Sequence, residues 1–280
     1  MIARYKRTKG FNVLFPIGLD RNGLPIEIAT EREFNINIRD VSREEFLTFC
    51  KKVLDKASTR SLEIFKLLGI SFNSYNIGEK PGEVYLTDSE TYRKLTQATF
   101  IELWKQGLIY EDERVNNYCT RCRTTIADSE IQYKIGHAVL NYIKFKVKET
   151  GGNIVIATTR PELICTCAMV IFNPTDERYK HLEGKHVITP IYGKEVPIKS
   201  NPYAKPEFGT GLVMMCSYGD YTDIRFFREN KLKEVIAINA DGRMNENAGI
   251  LAGLSVKDAR EKIINELKRR NLLVKQEKIM

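Results

Sequence analysis

The sequence predicts a mixed α/β chain whose second half is a β-barrel with surrounding helices, preceded by a mostly helical segment carrying one strand. Three observations predict it. Capping boxes and apolar residues at helical spacing dominate the first 110 residues. From Val139 onward, short apolar runs broken by Gly, Pro and Asn take over. No internal repeat or low-complexity stretch interrupts either part. With 280 residues and 42% hydrophobic side chains, the chain holds one large domain or two ordinary ones. The change of pattern places the boundary near residue 135, giving expected domains 1–134 and 135–280.

The elements follow in order. "FNVLF" at 11–15 is a short β-like run, and "PIGLDRNGLP" after it is rich in turn residues. Ser42 with Glu45 forms a capping box, and Phe46, Phe49, Val53, Leu54 and Ala57 then fall at helical spacing. That helix, or pair of helices, stops near Gly69. A second box, Thr87 with Glu90, opens a helix through Leu95, Thr99, Phe100, Leu103 and Trp104, which Gly107 ends. "NYIKFKV" alternates as a half-buried strand does. "NIVIATT", "AMVIF", "KHVITPIYG", "KEVPI", "GLVMMC" and "EVIAIN" are further β segments. A last helix, capped near Ser255 and running through Ile263, Ile264 and Leu267, closes the chain.

Composition excludes several classes. No apolar stretch approaches the roughly 20 residues that span a bilayer, so no membrane partner is expected. The N-terminus is basic but has no apolar core, so it is not a secretory signal. Six cysteines without framework spacing point to a reducing, cytoplasmic setting. Forty-four basic against 36 acidic residues leave +8, which admits a polyanion such as RNA, although the basic residues are dispersed. The nucleophile elbow, the P-loop and the dinucleotide fingerprint are absent. His137, His181 and His186 have neither metal nor triad spacing and are expected at the surface.

Two stretches carry chemistry. In "GTGLVMMCSYGDYTD" an apolar run meets Gly219 and leads straight into Asp220 and Asp223. Asp220 fits a helix N-cap and Asp223 the first turn, where carboxylates complement the helix dipole. In "IATTRPEL" proline stops a strand and exposes Thr158, Thr159 and Arg160 at its end. Two hydroxyls and a guanidinium beside two carboxylates suit a polar pocket for an amino-acid ester; a plain strand-end turn is the simpler reading. Cys119 and Cys122 have the spacing of half a tetrahedral zinc site, with no second C-x-x-C to complete it. Either they hold no metal, or their partners lie outside this chain.

"RYKRTKGFNVLFPIGLDRNGLPIE" resembles the stretch that carries the G-x-D-x-N/H-G-L-P motif in the Rossmann-type catalytic domain of class I valyl-, isoleucyl- and leucyl-tRNA synthetases. "NYCTRCRTTIADSEIQY" resembles the stem into their inserted editing domain. "ATTRPELICTCAMVIFNPTDERYKHLEGKHV" and "PEFGTGLVMMCSYGDYTD" resemble that domain's two signature segments. The asparagine of "LDRNGLP" and the segment "PTDERYKHLEGK" favour the valyl branch, and "CSYGDYTD" its archaeal form. The H-I-G-H and K-M-S-K-S signatures, which hold ATP for amino-acid activation, are absent. The resemblance therefore implies a piece of such an enzyme: part of the Rossmann-type catalytic domain, a helical stem with half a cysteine knuckle, and the editing barrel. It places the other half of that knuckle just beyond Met280.

The resemblance implies an editing hydrolase that deacylates threonyl-tRNA(Val), with no metal and no cofactor for that step. ATP and Mg would serve the full-length enzyme, and zinc is the metal the family places at the Cys119–Cys122 knuckle. The implied partners are the 3′ end of tRNA(Val) and mischarged aminoacyl-tRNA, and the implied state is a monomer. Asp223 matches the aspartate that holds the α-ammonium, and Asp220 the position beside the threonine hydroxyl. Thr158 and Thr159 match the threonine-rich wall, while Arg160, Glu162, Met214 and Tyr218 match substrate- or tRNA-binding positions. Asp20 matches a residue of the synthetic site. Three positions depart from the usual pattern: Met214 replaces a lysine, Leu163 a threonine, and Ser217-Tyr218-Gly219 a P-A-H. Two alternatives stay open: an isoleucyl editing domain acting on valyl-tRNA(Ile), and a non-catalytic tRNA-binding module. A zinc-dependent hydrolase would need ligands that the sequence does not offer.

Overall fold

The computed structural model describes residues 1–112 and 115–279. The chain divides into two compact units, residues 1–114 and 115–280.

Among its described residues the first unit contains four helices: α1 (Ile2–Thr8), α2 (Leu24–Phe34), α3 (Arg43–Leu67) and α4 (Glu90–Lys105). Its strands β1 (Gly18–Leu19) and β2 (Tyr85–Leu86) pair in parallel. α3 is a single 25-residue helix, and the Ser42 hydroxyl caps it by accepting from the Glu45 amide at 3.2 Å. Its buried residues Phe46, Cys50, Val53 and Leu54 recur at helical spacing. Three expectations need correction here. "FNVLF" is not a strand; its backbone bonds instead to Asn73, whose side-chain amide donates to Val13 O at 3.2 Å. α2 starts inside the stretch read as turns, because Pro25 sits in its first turn, where the missing N–H costs nothing. α4 is capped by Ser89, not Thr87; the Thr87 hydroxyl accepts from the Arg21 amide and the Asn22 side chain, each at 2.9 Å.

In the second unit, a short hairpin of β3 (Tyr118–Cys119) and β4 (Thr124–Thr125) precedes a seven-stranded sheet. The sheet's strands are β5 (Ala138–Val147), β6 (Asn153–Thr158), β7 (Cys167–Phe172), β8 (His186–Ile188), β9 (Glu195–Ser200), β10 (Leu212–Cys216) and β11 (Leu273–Ile279). They run in the order β10-β7-β9-β8-β5-β11, with β6 also on β5. β10 returns beside β6, so the sheet wraps into a nearly closed barrel. Within this sheet β7 and β9 pair in parallel, and the other described pairings are antiparallel. The helices α5 (Tyr221–Glu229) and α6 (Val256–Arg269) lie against it.

The main core joins Ile143, Phe145, Ile156, Phe172, Val187 and Leu212 from the strands to Ala259, Ile263 and Leu267 of α6. Those α6 residues are four apart, so they form one stripe down the helix. A smaller cluster packs Met169, Ile171 and Met215 on Phe226 and Phe227 of α5. β7 is thus apolar on both faces because both are covered, which explains why "AMVIF" does not alternate. Two expectations fail in this unit. "EVIAIN" forms no strand, only an isolated bridge between Ile238 and Met244. α6 does not close the chain: β11 follows it and pairs antiparallel with β5, from Leu273 opposite Ile143 to Ile279 opposite Ala138.

The loop before β10 is held by local ion pairing. Arg178 pairs with Asp176 at 2.7 Å and donates to Pro206 O at 3.0 Å, while the Tyr179 hydroxyl donates to Thr210 O at 2.6 Å. Gly211 has φ +83°, and a Cβ there would lie 2.7 Å from Arg178 Nη2 and 2.9 Å from Asp176 Oδ2. Gly211→Ala should therefore cost about 1–3 kcal/mol in a urea titration, from the left-handed backbone and the displaced pair together.

Candidate active site

A cavity of about 360 Å3 opens between the end of β6 and the turn that joins β10 to α5. Thr158, Thr159 and Arg160 line one side, and Met214, Cys216, Asp220 and Asp223 line the other. Leu140, Tyr203, Phe208 and Val213 supply an apolar wall. The Phe208 loop approaches β6 closely: a Cβ on Gly209, at φ +60°, would lie 2.6 Å from Ala157 Cβ.

The aspartates are placed by the helix start that the sequence announces. Asp220 is the N-cap of α5, its Oδ1 accepting from the Asp223 amide at 2.9 Å. Asp223 Oδ1 accepts from the Cys216 amide at 3.2 Å, which ties the first turn of the helix to the end of β10. The connection between them is tight: Tyr218 adopts φ +56°, and a Cβ on Gly219 would lie 2.0 Å from Asp223 Oδ2. The Ser217 hydroxyl pins the same turn by accepting from the Val235 amide at 2.8 Å. Asp220 is exposed, whereas Asp223 is partly buried. Burial, reinforced by the Asp220 charge, pushes the Asp223 carboxyl up to about 7, against the lowering effect of the amides and Arg160.

On the opposite wall the Thr158 hydroxyl accepts from the Arg160 amide at 3.1 Å, and the Thr158 carbonyl accepts from the Asn141 side chain at 3.1 Å. Gln276 of β11 in turn holds Asn141 through a 2.7 Å bond. Arg160 donates through Nη1 to the Gly219 carbonyl, so one guanidinium bridges the two walls. Its Nε faces Glu162 Oε1 at 3.5 Å.

The structure gathers Thr158, Thr159, Arg160, Met214, Asp220 and Asp223 at one cavity and leaves two expected binding residues outside its lining. Glu162 is fully buried, with both carboxylate oxygens taken by Arg260 at 3.0 and 2.7 Å. Tyr218 turns its hydroxyl to Glu234. Asp20 lies in the first unit, where its Oδ1 accepts from the Asn22 amide and the Thr87 hydroxyl, each at 3.2 Å. Cys119 and Cys122 sit on the β3–β4 hairpin, and the Cys122 amide at 3.4 Å holds the Cys119 thiol below its ordinary value. Among the described residues no group of three or more His, Cys, Asp or Glu could hold a metal ion. Cys119 and Cys122 supply two thiols, half of a tetrahedral set. No helix among the described residues is long and apolar enough to cross a membrane.

Several residues that shape the site were not legible as such. The space Gly219 leaves for the Asp223 carboxylate shows only in three dimensions. Arg260 carries no motif, and its role depends on a partner 98 residues away. The apolar wall had a signal, since Val213 and Met215 alternate with Met214 along β10, but the sequence alone does not say which face meets the cavity.

Residues 1–138 match a family model described as tRNA synthetases class I (I, L, M and V). All of the chain aligns with the valine–tRNA ligase of Aeropyrum pernix at 46% identity, covering 34% of that protein. The valine–tRNA ligase of Pyrobaculum aerophilum is likewise 46% identical over the whole chain and 34% of its own length. That of Methanocaldococcus jannaschii is 43% identical, again over the whole chain and 31% of its length. The chain thus spans about a third of the length of these curated relatives.

Proposed function

Because this chain belongs to the class I tRNA synthetases, we propose that its barrel unit is an editing hydrolase that removes threonine from threonyl-tRNA(Val). One observation carries the reading: Asp220 and Asp223 share a cavity with Thr158, Thr159 and Arg160. The need for such a site follows from binding physics. An apolar pocket built for valine cannot strongly reject an isostere that merely adds a hydroxyl, so a second site must remove it.

In this reading Asp223 accepts from the α-ammonium of the esterified amino acid. Asp220 keeps Oδ1 on the helix start and offers Oδ2 to the threonine hydroxyl, a hydrogen bond that valine cannot make. Asp220 is exposed until substrate covers it, so discrimination arises on binding rather than from a buried charge in the free protein. Thr158, Thr159 and Arg160 face the terminal adenosine. A positioned water, helped by the neighbouring ribose hydroxyl, attacks the ester carbonyl; the bond to the ribose oxygen breaks, and threonine and tRNA leave. The partner is then the 3′ end of tRNA(Val), and the chain is a cytoplasmic monomer. Valine ligation with ATP and Mg is the proposed activity of the whole protein, not of this chain.

The test is to incubate the chain with threonyl-tRNA(Val), valyl-tRNA(Val) and valyl-tRNA(Ile), and to follow loss of each ester. Faster loss of the threonyl ester supports the reading. Preferential loss of valyl-tRNA(Ile) favours the isoleucyl alternative, and loss of none above the spontaneous rate leaves a tRNA-binding module. The pH profile is a second check. Asp223 must be ionised to hold the ammonium, and burial holds its carboxyl near about 7. Activity against the threonyl ester should therefore rise through about pH 7, then fall as the substrate ammonium, with an ordinary value of about 8, loses its proton. A profile flat from pH 6 to pH 8 would remove Asp223 from that role.

A further inference from the structure

We propose that Arg260 is a positioning residue for the hydrolysis put forward above, on which this inference rests: through buried Glu162 it keeps Arg160 bridged to the turn that carries Asp220 and Asp223.

The contacts form one continuous path. Arg260, on α6, grips both oxygens of Glu162, with Nε on Oε2 at 3.0 Å and Nη2 on Oε1 at 2.7 Å. This two-pronged geometry suits a guanidinium and not an ammonium. Glu162 has no exposed side-chain surface, so its charge must be matched from within the protein. Arg160 contributes only a 3.5 Å approach from Nε, which leaves its Nη1 available for the Gly219 carbonyl. Arg260 itself is absent from the cavity lining.

Removing the Arg260 charge changes what Arg160 must do. A fully buried carboxylate with one remaining cation draws that cation in. Arg160 then turns both nitrogens to Glu162 and lets go of Gly219. The turn loses its cross-wall tether, and Asp223 loses the guanidinium of Arg160 that faces it. Among the described residues, the other titratable groups beside Asp223 are Asp220, on its own helix start, and the buried thiol of Cys216, itself hydrogen-bonded to the free thiol of Cys167 of β7. None of these replaces a positive charge. The Asp223 carboxyl consequently holds its proton to higher pH.

The test compares Arg260→Gln with the double variant Glu162→Gln plus Arg260→Gln. In threonyl-tRNA(Val) hydrolysis the single variant should lose about 10-fold at pH 7, and its acid limb should move up by about half a pH unit or more. The double variant removes the charge that pulls Arg160 away, so its acid limb should return towards that of the parent chain. A purely structural role predicts the opposite pattern: an unshifted limb in the single variant, and a double variant no better than it. Arg260→Lys, which offers one donor group instead of a fork, should fall between parent and Gln. Asp223 is also followed directly, by carbon-13 NMR of labelled aspartate carboxyls in parent and single variant. If the parent chain hydrolyses no ester, the functional reading fails, and the NMR titration still decides the coupling. An unmoved Asp223 titration overturns the proposal; a titration moved upward supports it.

Discussion

Asp223→Asn should reduce threonyl-tRNA(Val) hydrolysis by about 10- to 150-fold while making the chain harder to unfold at pH 8. In the proposed reaction the activity loss follows from replacing an anionic acceptor by a neutral amide opposite the substrate ammonium; a hydrogen bond to a charged group is worth about 1.5–3 kcal/mol. Asparagine keeps the same outline, and its oxygen can still accept from the Cys216 amide, so the fold is undisturbed. The stability gain follows from linkage. The Asp223 carboxyl ordinarily titrates at 3.8 and is raised to about 7 in the folded chain. Between those values the folded state holds a proton that the unfolded chain has lost, so stability falls as pH rises through that window. The whole penalty stands above about pH 7. Allowing for solvent around a partly exposed group, asparagine should recover about 1–2 kcal/mol at pH 8. Thermal melts of both proteins at pH 8 and pH 5 check the sign, because the gap should narrow as pH falls. A variant that melts earlier at pH 8 would contradict it.

Gly219→Ala should cost about as much activity without touching either aspartate. The new methyl would lie 2.0 Å from Asp223 Oδ2 and 3.1 Å from Asp223 Cγ. The carboxylate has to swing away and give up the 3.2 Å bond to the Cys216 amide. A displacement of about 1 Å at a reacting geometry costs about 100-fold. The melting temperature should fall modestly, because the amide of buried Cys216 loses its acceptor. Combining Gly219→Ala with Asp223→Asn separates mechanisms. If the methyl acts only by moving Asp223, the double variant is no slower than Asp223→Asn alone. A fully additive loss would show that Gly219 serves the reaction by another route.

What the sequence disclosed follows the range of the forces involved. Ser42 with Glu45, Ser255 with α6, and Asp220 with Asp223 are bonds across three residues, and such local chemistry is written in the chain itself. The stop at Pro161 also fixed the end of β6 correctly. Errors arose where the deciding partner is distant or the local signal has two meanings. Thr87 and Ser89 both fit a cap, and Thr87 is claimed by Arg21 and Asn22 from 65 or more residues away. "LVKQEKI" reads as polar chain, yet β11 forms because β5 offers it an unpaired edge. "EVIAIN" reads as a strand, but no neighbour completes a ladder for it. The same reasoning holds in the cavity. Asp220, Asp223, Thr158, Thr159 and Arg160 were legible as motif residues, whereas the Glu162–Arg260 pair joins segments that only the fold brings together.

The pairing of β5 with β11 has a consequence for how this sheet comes apart. Ala138 and Ile279 are opposite one another in adjacent antiparallel strands. Residues 138–140 of β5 pair with β11, whereas the β6 pairing begins only at Asn141. Peeling β11 away therefore frees the start of β5 in the same step, so the first and last strands of the sheet should exchange their amide protons together.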